Sequence, residues 1–167
     1  MPRSSALRVA APGPEAPIRP FADSLPMALL KAREAVMRRF RPGLRAHAVT
    51  EQQWRVLRAL AALGPLEISE LAARTCLLPP SLSRILPALE SRGLIARRAV
   101  ATDMRRTAVS VTPAGLELIA AHAPHSERIY RAIEERFGSE RLRQLSRLLG
   151  ELEGALRPPP ARGGTER

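Results

Sequence analysis

One change of period governs what this chain can fold into. In "PPSLSRILPALESRG", Leu82, Ile85, Leu86 and Leu89 recur at helical spacing, and Gly93 sits where a left-handed residue ends a helix. Directly afterwards "LIARRAV" and "TAVSVT" alternate with a period of two. That alternation predicts two short antiparallel strands around "ATDMRR". Upstream, Thr50 and Gln53 in "TEQQW" have capping-box spacing, opening a helix that runs to about Leu63 and stops at Gly64-Pro65. A short helix follows in "ISELAART", about residues 68–75. Two helices, a glycine-capped third and an immediate hairpin predict a mainly α fold with a small β-hairpin wing, a winged helix-turn-helix.

The flanks read as helices. Leu25, Ala28, Leu29, Ala32, Val36 and Phe40 keep helical spacing, and Pro42-Gly43 is expected to kink or break the last turn. Thr112-Pro113 opens a long helix to about residue 137, and a leucine-striped helix covers 139–156. Five prolines without periodicity make 1–22 a disordered arm, and 158–167 a flexible tail. Between them the expected divisions are 23–47 for the N-terminal helix, 48–112 for the winged helix-turn-helix and 113–157 for the C-terminal helices.

Charge narrows the partner. The net charge is +11, with +5 in residues 23–66 and +3 in 67–112, against +1 in 113–167. A cationic middle suits a polyanion, and nucleic acid before membrane. No apolar run approaches the roughly 18 residues of a membrane span. The lone Cys76 excludes an internal disulfide and fits a reducing, cytoplasmic setting; it is expected as a small buried hydrophobe. The chain shows no Gly-rich phosphate loop, G-x-S-x-G or paired carboxylates, so no enzyme and no cofactor is expected.

The candidate DNA-binding residues follow from the helix and the hairpin. Opposite the apolar stripe of residues 79–92 lie Pro80, Ser81 and Arg84, with Ser83 on the flank. Small polar residues let a helix approach base edges in a major groove, and arginine reads guanine bidentately. Arg97, Arg98, Arg105 and Arg106 set cations beside the same surface, and a narrow hairpin tip suits a minor groove. Asp103 is expected to hold an arginine extended; Arg97, Arg98 and Arg106 are expected on phosphates.

These segments, with "DMRRTAVSVTPAG" as the most specific, resemble the MarR family of regulators over about residues 24–156. The wing pattern D-x-R…(L/V)-T-x-x-G is matched by Asp103, Arg105, Thr112 and Gly115. The resemblance implies that Arg105 enters the minor groove while Ser81, Ser83 and Arg84 enter the major groove of double-stranded DNA. "SLPMALLKAREAVMRRFRP" is further similar to a subgroup regulating homoprotocatechuate (4-hydroxyphenylacetate) degradation operons. An obligate homodimer on a pseudo-palindromic operator is implied, and the apolar stripes carrying Leu25, Leu29, Leu142, Leu145, Leu149 and Leu152 agree with it. A small aromatic carboxylate effector is implied as well. Its candidate contacts are Ser24, Lys31 and Arg33 for the carboxylate, and His47 and Trp54 for the phenolic end. A regulator of stress or resistance genes, a metal or thiol sensor, and a non-specific nucleic-acid binder stay as alternatives. His47, His122 and His125 are the conceivable zinc ligands, although Pro124 argues against helical ligand spacing, and no metal is expected.

Overall fold

The structure, a computed structural model, describes residues 20–100 and 103–157, with the side chains of Ala22, Val100 and residues 103–106 left out. The expected arm and tail therefore fall largely outside the described residues. The chain divides into two compact units, residues 1–38 and 39–167, and the boundary falls within the first helix.

The first unit holds a 3-10 turn, Phe21–Asp23, inside what the proline content suggested was arm, and most of α1, Leu25–Ala46. Lys31 Nζ lies 5.7 Å from the centre of the Phe21 ring. Leu25, Leu29, Leu30 and Val36 are exposed.

Contrary to the expected break at Pro42-Gly43, α1 continues through both residues to Ala46. Gly43 is buried against histidine, since an added Cβ would lie 2.2 Å from His125 Cδ2 and 2.8 Å from His122 Cε1. Close packing against α5 thus offsets the hydrogen bond that proline removes. The long helix α5, Pro113–Phe137, runs unbroken through Pro124 over the expected range.

In the second unit, α2 (Glu51–Leu63) opens with the expected capping box. Gln53 N donates to Thr50 Oγ1 at 3.2 Å, and Thr50 N donates to Gln53 Oε1 at 2.9 Å. Next come β1 (Leu66–Glu67), α3 (Ile68–Thr75) and α4 (Pro79–Ser91). Strand β1 is too short for its period to register in sequence, and it exists only by pairing: Leu66 lies opposite Val109 and Glu67 opposite Ala108. The wing is β2 (Ile95–Val100) with β3 (Asp103–Val111), in the sheet order β1-β3-β2. β3 begins at Asp103, four residues earlier than alternation suggested, with an irregular register between Ala99 and Val100. Backbone pairing with β2, not apolar alternation, extends it. Helix α6, Ser139–Leu156, follows α5 and packs against it.

One apolar core joins these elements. Val56, Leu57 and Leu60 of α2 meet Leu71 of α3 and the fully buried stripe of α4, closed by Ile95, Val109 and Ile119. Leu82 and Leu89 are 0% exposed, and each such side chain contributes about 1.5–3 kcal/mol of burial. By contrast α6 has no buried residue, and Leu145 and Leu149 are exposed.

Candidate nucleic-acid interface and aromatic cavity

The α4 stripe occupies the core, so the opposite face is outward. Pro80, Ser83 and Arg84 are exposed and Ser81 is half-buried. Prolines at the first two helical positions need no hydrogen-bond donor there and pre-set the backbone. Ser83 Oγ donates back to Pro79 O at 3.0 Å, which holds that hydroxyl along the helix. Arg84 makes no ion pair among the described residues. Between α3 and α4, Cys76 caps α3 in the left-handed region at φ +50° and is exposed. This corrects the expectation of a buried Cys76: a C-cap position turns the side chain out of the helix pair.

The α4-to-wing junction is built by backbone. Gly93, at φ +67°, donates to Glu90 O at 2.8 Å, and Leu94 N donates to Leu89 O at 3.0 Å. At the other end of the hairpin Thr112 Oγ1 donates to Gly93 O at 2.6 Å and accepts from Gly115 N at 3.1 Å. A Cβ on Gly115 would lie 2.3 Å from Leu94 O. The T-x-x-G spacing therefore seats the first turn of α5 on the base of the wing.

Alternation separates two arginines that the sequence presents as equals. Arg97 stands opposite Val109 and Arg98 opposite Ala108, so they point to opposite faces of the sheet. Arg97 returns to α4, where Nε donates to Glu90 Oε2 at 2.8 Å and Nη2 also meets that oxygen. That hydrogen bond holds the Glu90 carboxyl below the usual carboxylate range and raises the Arg97 guanidinium. Arg98 is exposed. The side chains of Asp103, Arg105 and Arg106 lie outside the described ones.

Between α1, α2 and α5 the second unit contains an aromatic hollow of ≈ 130 Å³, lined by Phe40, Trp54, Arg58, Ile119, Ala123, Ser126, Glu127 and Tyr130. Phe40 and Tyr130 meet edge to face, with ring centres 5.4 Å apart. Trp54 meets its neighbour His122 in the same manner at 4.6 Å. Of the expected effector contacts, Trp54 lines the hollow. His47 does not; its ring packs on His122 at 5.4 Å. Ser24, Lys31 and Arg33 belong to the first unit, where Arg33 pairs with Glu34 at 3.0 Å. Sequence reasoning missed Arg58, although its place one turn beyond Trp54 on α2 was a legible signal. It also missed Tyr130 and Phe40, which only the packing of α5 on α1 and α2 brings together.

His122 is fully buried, and neither ring nitrogen has a protein partner. Burial pushes its pKa down, and the neighbouring His47 and His125 push it further. Proline at 124 does not separate His122 from His125, whose ring centres are 5.4 Å apart. Among the described residues, however, no group of three His, Cys, Asp or Glu side chains is arranged to hold a metal ion.

A helix-turn-helix with a small outward face, followed by a basic hairpin fastened to it, defines a winged helix-turn-helix protein, a class that reads double-stranded DNA. The chain belongs to the MarR family of transcriptional regulators, whose family model matches residues 49–107. It is 43% identical over 129 residues to the homoprotocatechuate degradative operon repressors of Escherichia coli and Shigella flexneri, covering 77% of this chain and 87% of theirs. It is 38% identical to NadR solved in complex with 4-hydroxyphenylacetate, with a TM-score of 0.71 over 85% of this chain and 97% of that one. CouR bound to a 23-mer DNA duplex is 26% identical, with a TM-score of 0.72 over 78% of this chain and 93% of that one. No helix among the described residues is long and apolar enough to cross a membrane.

Proposed function

We propose that this regulator represses an operon for degrading homoprotocatechuate or 4-hydroxyphenylacetate and is released or retuned by a small aromatic carboxylate. The observation that carries the reading is the aromatic hollow. Its walls of Phe40, Trp54 and Tyr130 suit an aromatic ring, and at ≈ 130 Å³ it is somewhat smaller than the cavity of about 150 Å³ that accepts one benzene, so a substituted ring requires it to widen. Arg58 supplies the planar cation a carboxylate requires, and Ser126 a hydroxyl. The relatives support the ligand class: one is a homoprotocatechuate degradative operon repressor, and NadR was solved with 4-hydroxyphenylacetate.

The working form is a homodimer joined through the exposed leucines of α1 and α6. Its two α4 helices occupy half-sites about 34 Å apart on a pseudo-palindrome. Ser81, Ser83 and Arg84 read the major groove, Arg105 the minor groove, and Arg98 and Arg106 hold phosphates. Effector binding favours a dimer whose helices no longer match that spacing.

Selection of duplexes from a randomised pool, followed by thermal shift, tests both halves. The protein selects a pseudo-palindrome, and Arg105→Ala loses it while remaining a dimer. Addition of 4-hydroxyphenylacetate or homoprotocatechuate raises the melting temperature, and Arg58→Gln abolishes that rise. A rise with zinc alone refutes the aromatic effector.

A further inference from the structure

Helix α4 ends at an exposed C-cap arginine that reaches across to the turn between α1 and α2. Arg92 Nη1 donates to Ala48 O at 2.6 Å, and Nη2 donates to His47 O at 3.1 Å. One guanidinium fork thus spans two consecutive carbonyls that lie 44 and 45 residues away in the chain. No carboxylate meets it among the described residues, so charge neutralisation does not explain its position.

The corner it grips is rigid. At the end of α1 the last carbonyls have no helical donor and need one from elsewhere. The chain reverses through Ala48 at φ +52°, closed by Ala48 N donating to Arg45 O at 2.9 Å and Val49 N to Leu44 O at 3.0 Å. Leu44 and Val49 are buried, and the His47 ring is packed on His122 of α5. A non-glycine residue in the left-handed region costs about 1 kcal/mol or more and persists only where its surroundings hold it. The corner is therefore fixed from behind while presenting two carbonyls forward.

At the other end of α4 are the residues assigned to the groove. Arg92 lies eleven positions beyond Ser81, about 16 Å along the helix, so a small rotation at the Arg92 end displaces the reading end. We infer that Arg92 is a positioning residue: by latching α4 to the α1–α2 corner, it sets the orientation in which the helix reads DNA, without touching DNA itself. This rests on α4 being the DNA-reading helix.

The latch and a phosphate contact give different signatures. Lysine keeps the charge but cannot reproduce a planar fork on two carbonyls. A lost phosphate contact lowers the log–log salt slope by about 0.9, whereas a lost latch leaves the slope unchanged. The experiment measures full-length parent, Arg92→Ala and Arg92→Lys on the duplex selected by the parent and on its shuffled counterpart, across a salt series. Both variants are expected to lose about tenfold or more in affinity for the selected duplex. Affinity for shuffled DNA, the salt slope and the dimer are expected to stay at parent values. Parent-like affinity of Arg92→Lys, or a reduced slope in Arg92→Ala, overturns the latch in favour of a phosphate contact. Equal losses on both duplexes with a lowered melting temperature overturn it in favour of a general structural role. If Arg92→Ala fails to fold, Arg92→Lys decides alone. A parent protein that selects no duplex overturns the DNA-reading role of α4, and the latch with it.

Discussion

Replacing His122 by leucine removes a buried imidazole whose two nitrogens have no protein partner, and the consequence is legible as acid sensitivity. His122 is 0% exposed, and burial lowers its pKa, with His47 and His125 adding like-charge repulsion. An ordinary histidine titrates near pH 6.5. The unfolded chain therefore takes up a proton at His122 before the folded chain does. Protein stability is complete above about pH 6.5 and is lost as pH falls from there toward the folded pKa. While the folded ring stays neutral, the loss approaches about 1.4 kcal/mol for each pH unit. Urea unfolding at pH 7.5, 6.5 and 5.5, at one fixed protomer concentration, reads this directly. Parent and His122→Leu carry the same His47 and His125, so the difference between their curves isolates residue 122. At pH 7.5 the two stay close: relief of an unpartnered polar group, about 1–3 kcal/mol, opposes loss of the edge contacts with Trp54 and His47, about 0.5–1.5 kcal/mol each. Between pH 7.5 and 5.5 the parent loses more stability than the variant, up to a limit of about 1.4 kcal/mol for a ring that stays neutral throughout. Parallel curves would refute the assignment of a depressed pKa to a buried, unpartnered ring.

Three further outcomes follow from the geometry. Gly115→Ala sets a Cβ 2.3 Å from the Leu94 carbonyl, and because backbone cannot swing aside, thermal unfolding should register a loss of about 1–3 kcal/mol. Ala48→Gly relieves the left-handed residue at φ +52° and raises stability by about 0.5–1 kcal/mol in the same assay; a loss would mean the methyl group packs productively. Glu90→Gln frees Arg97 from its partner on α4, and the salt slope of operator binding steepens by up to about 0.9 as Arg97 reaches a phosphate. An unchanged slope would keep Arg97 off the DNA backbone.

Local chemistry made much of this molecule readable in advance. The Thr50–Gln53 capping box, the Gly93 cap and the Leu82/Ile85/Leu86/Leu89 stripe each depend on spacing within a few residues. So does the period of two in the wing, and all of them stand in the structure. Pro42 misled where tertiary packing outweighed it: it sits inside a continuous helix whose next residue, Gly43, packs closely on His122 and His125. Cys76 misled because composition speaks for burial while its left-handed cap position exposes it.

The sequence by itself determined the order of the six helices and the hairpin, the inward face of α4 and the family pattern from Asp103 to Gly115, since periodicity and caps are properties of adjacent residues. Only the tertiary structure decided that Arg97 binds Glu90 while Arg98 faces the other way, that Phe40, Trp54, Arg58 and Tyr130 share one hollow, and that Arg92 reaches the carbonyls of His47 and Ala48. These relations join residues 7 to 90 positions apart. No local preference encodes them, because they exist only once folding has brought the end of α1, α2, α4 and α5 together.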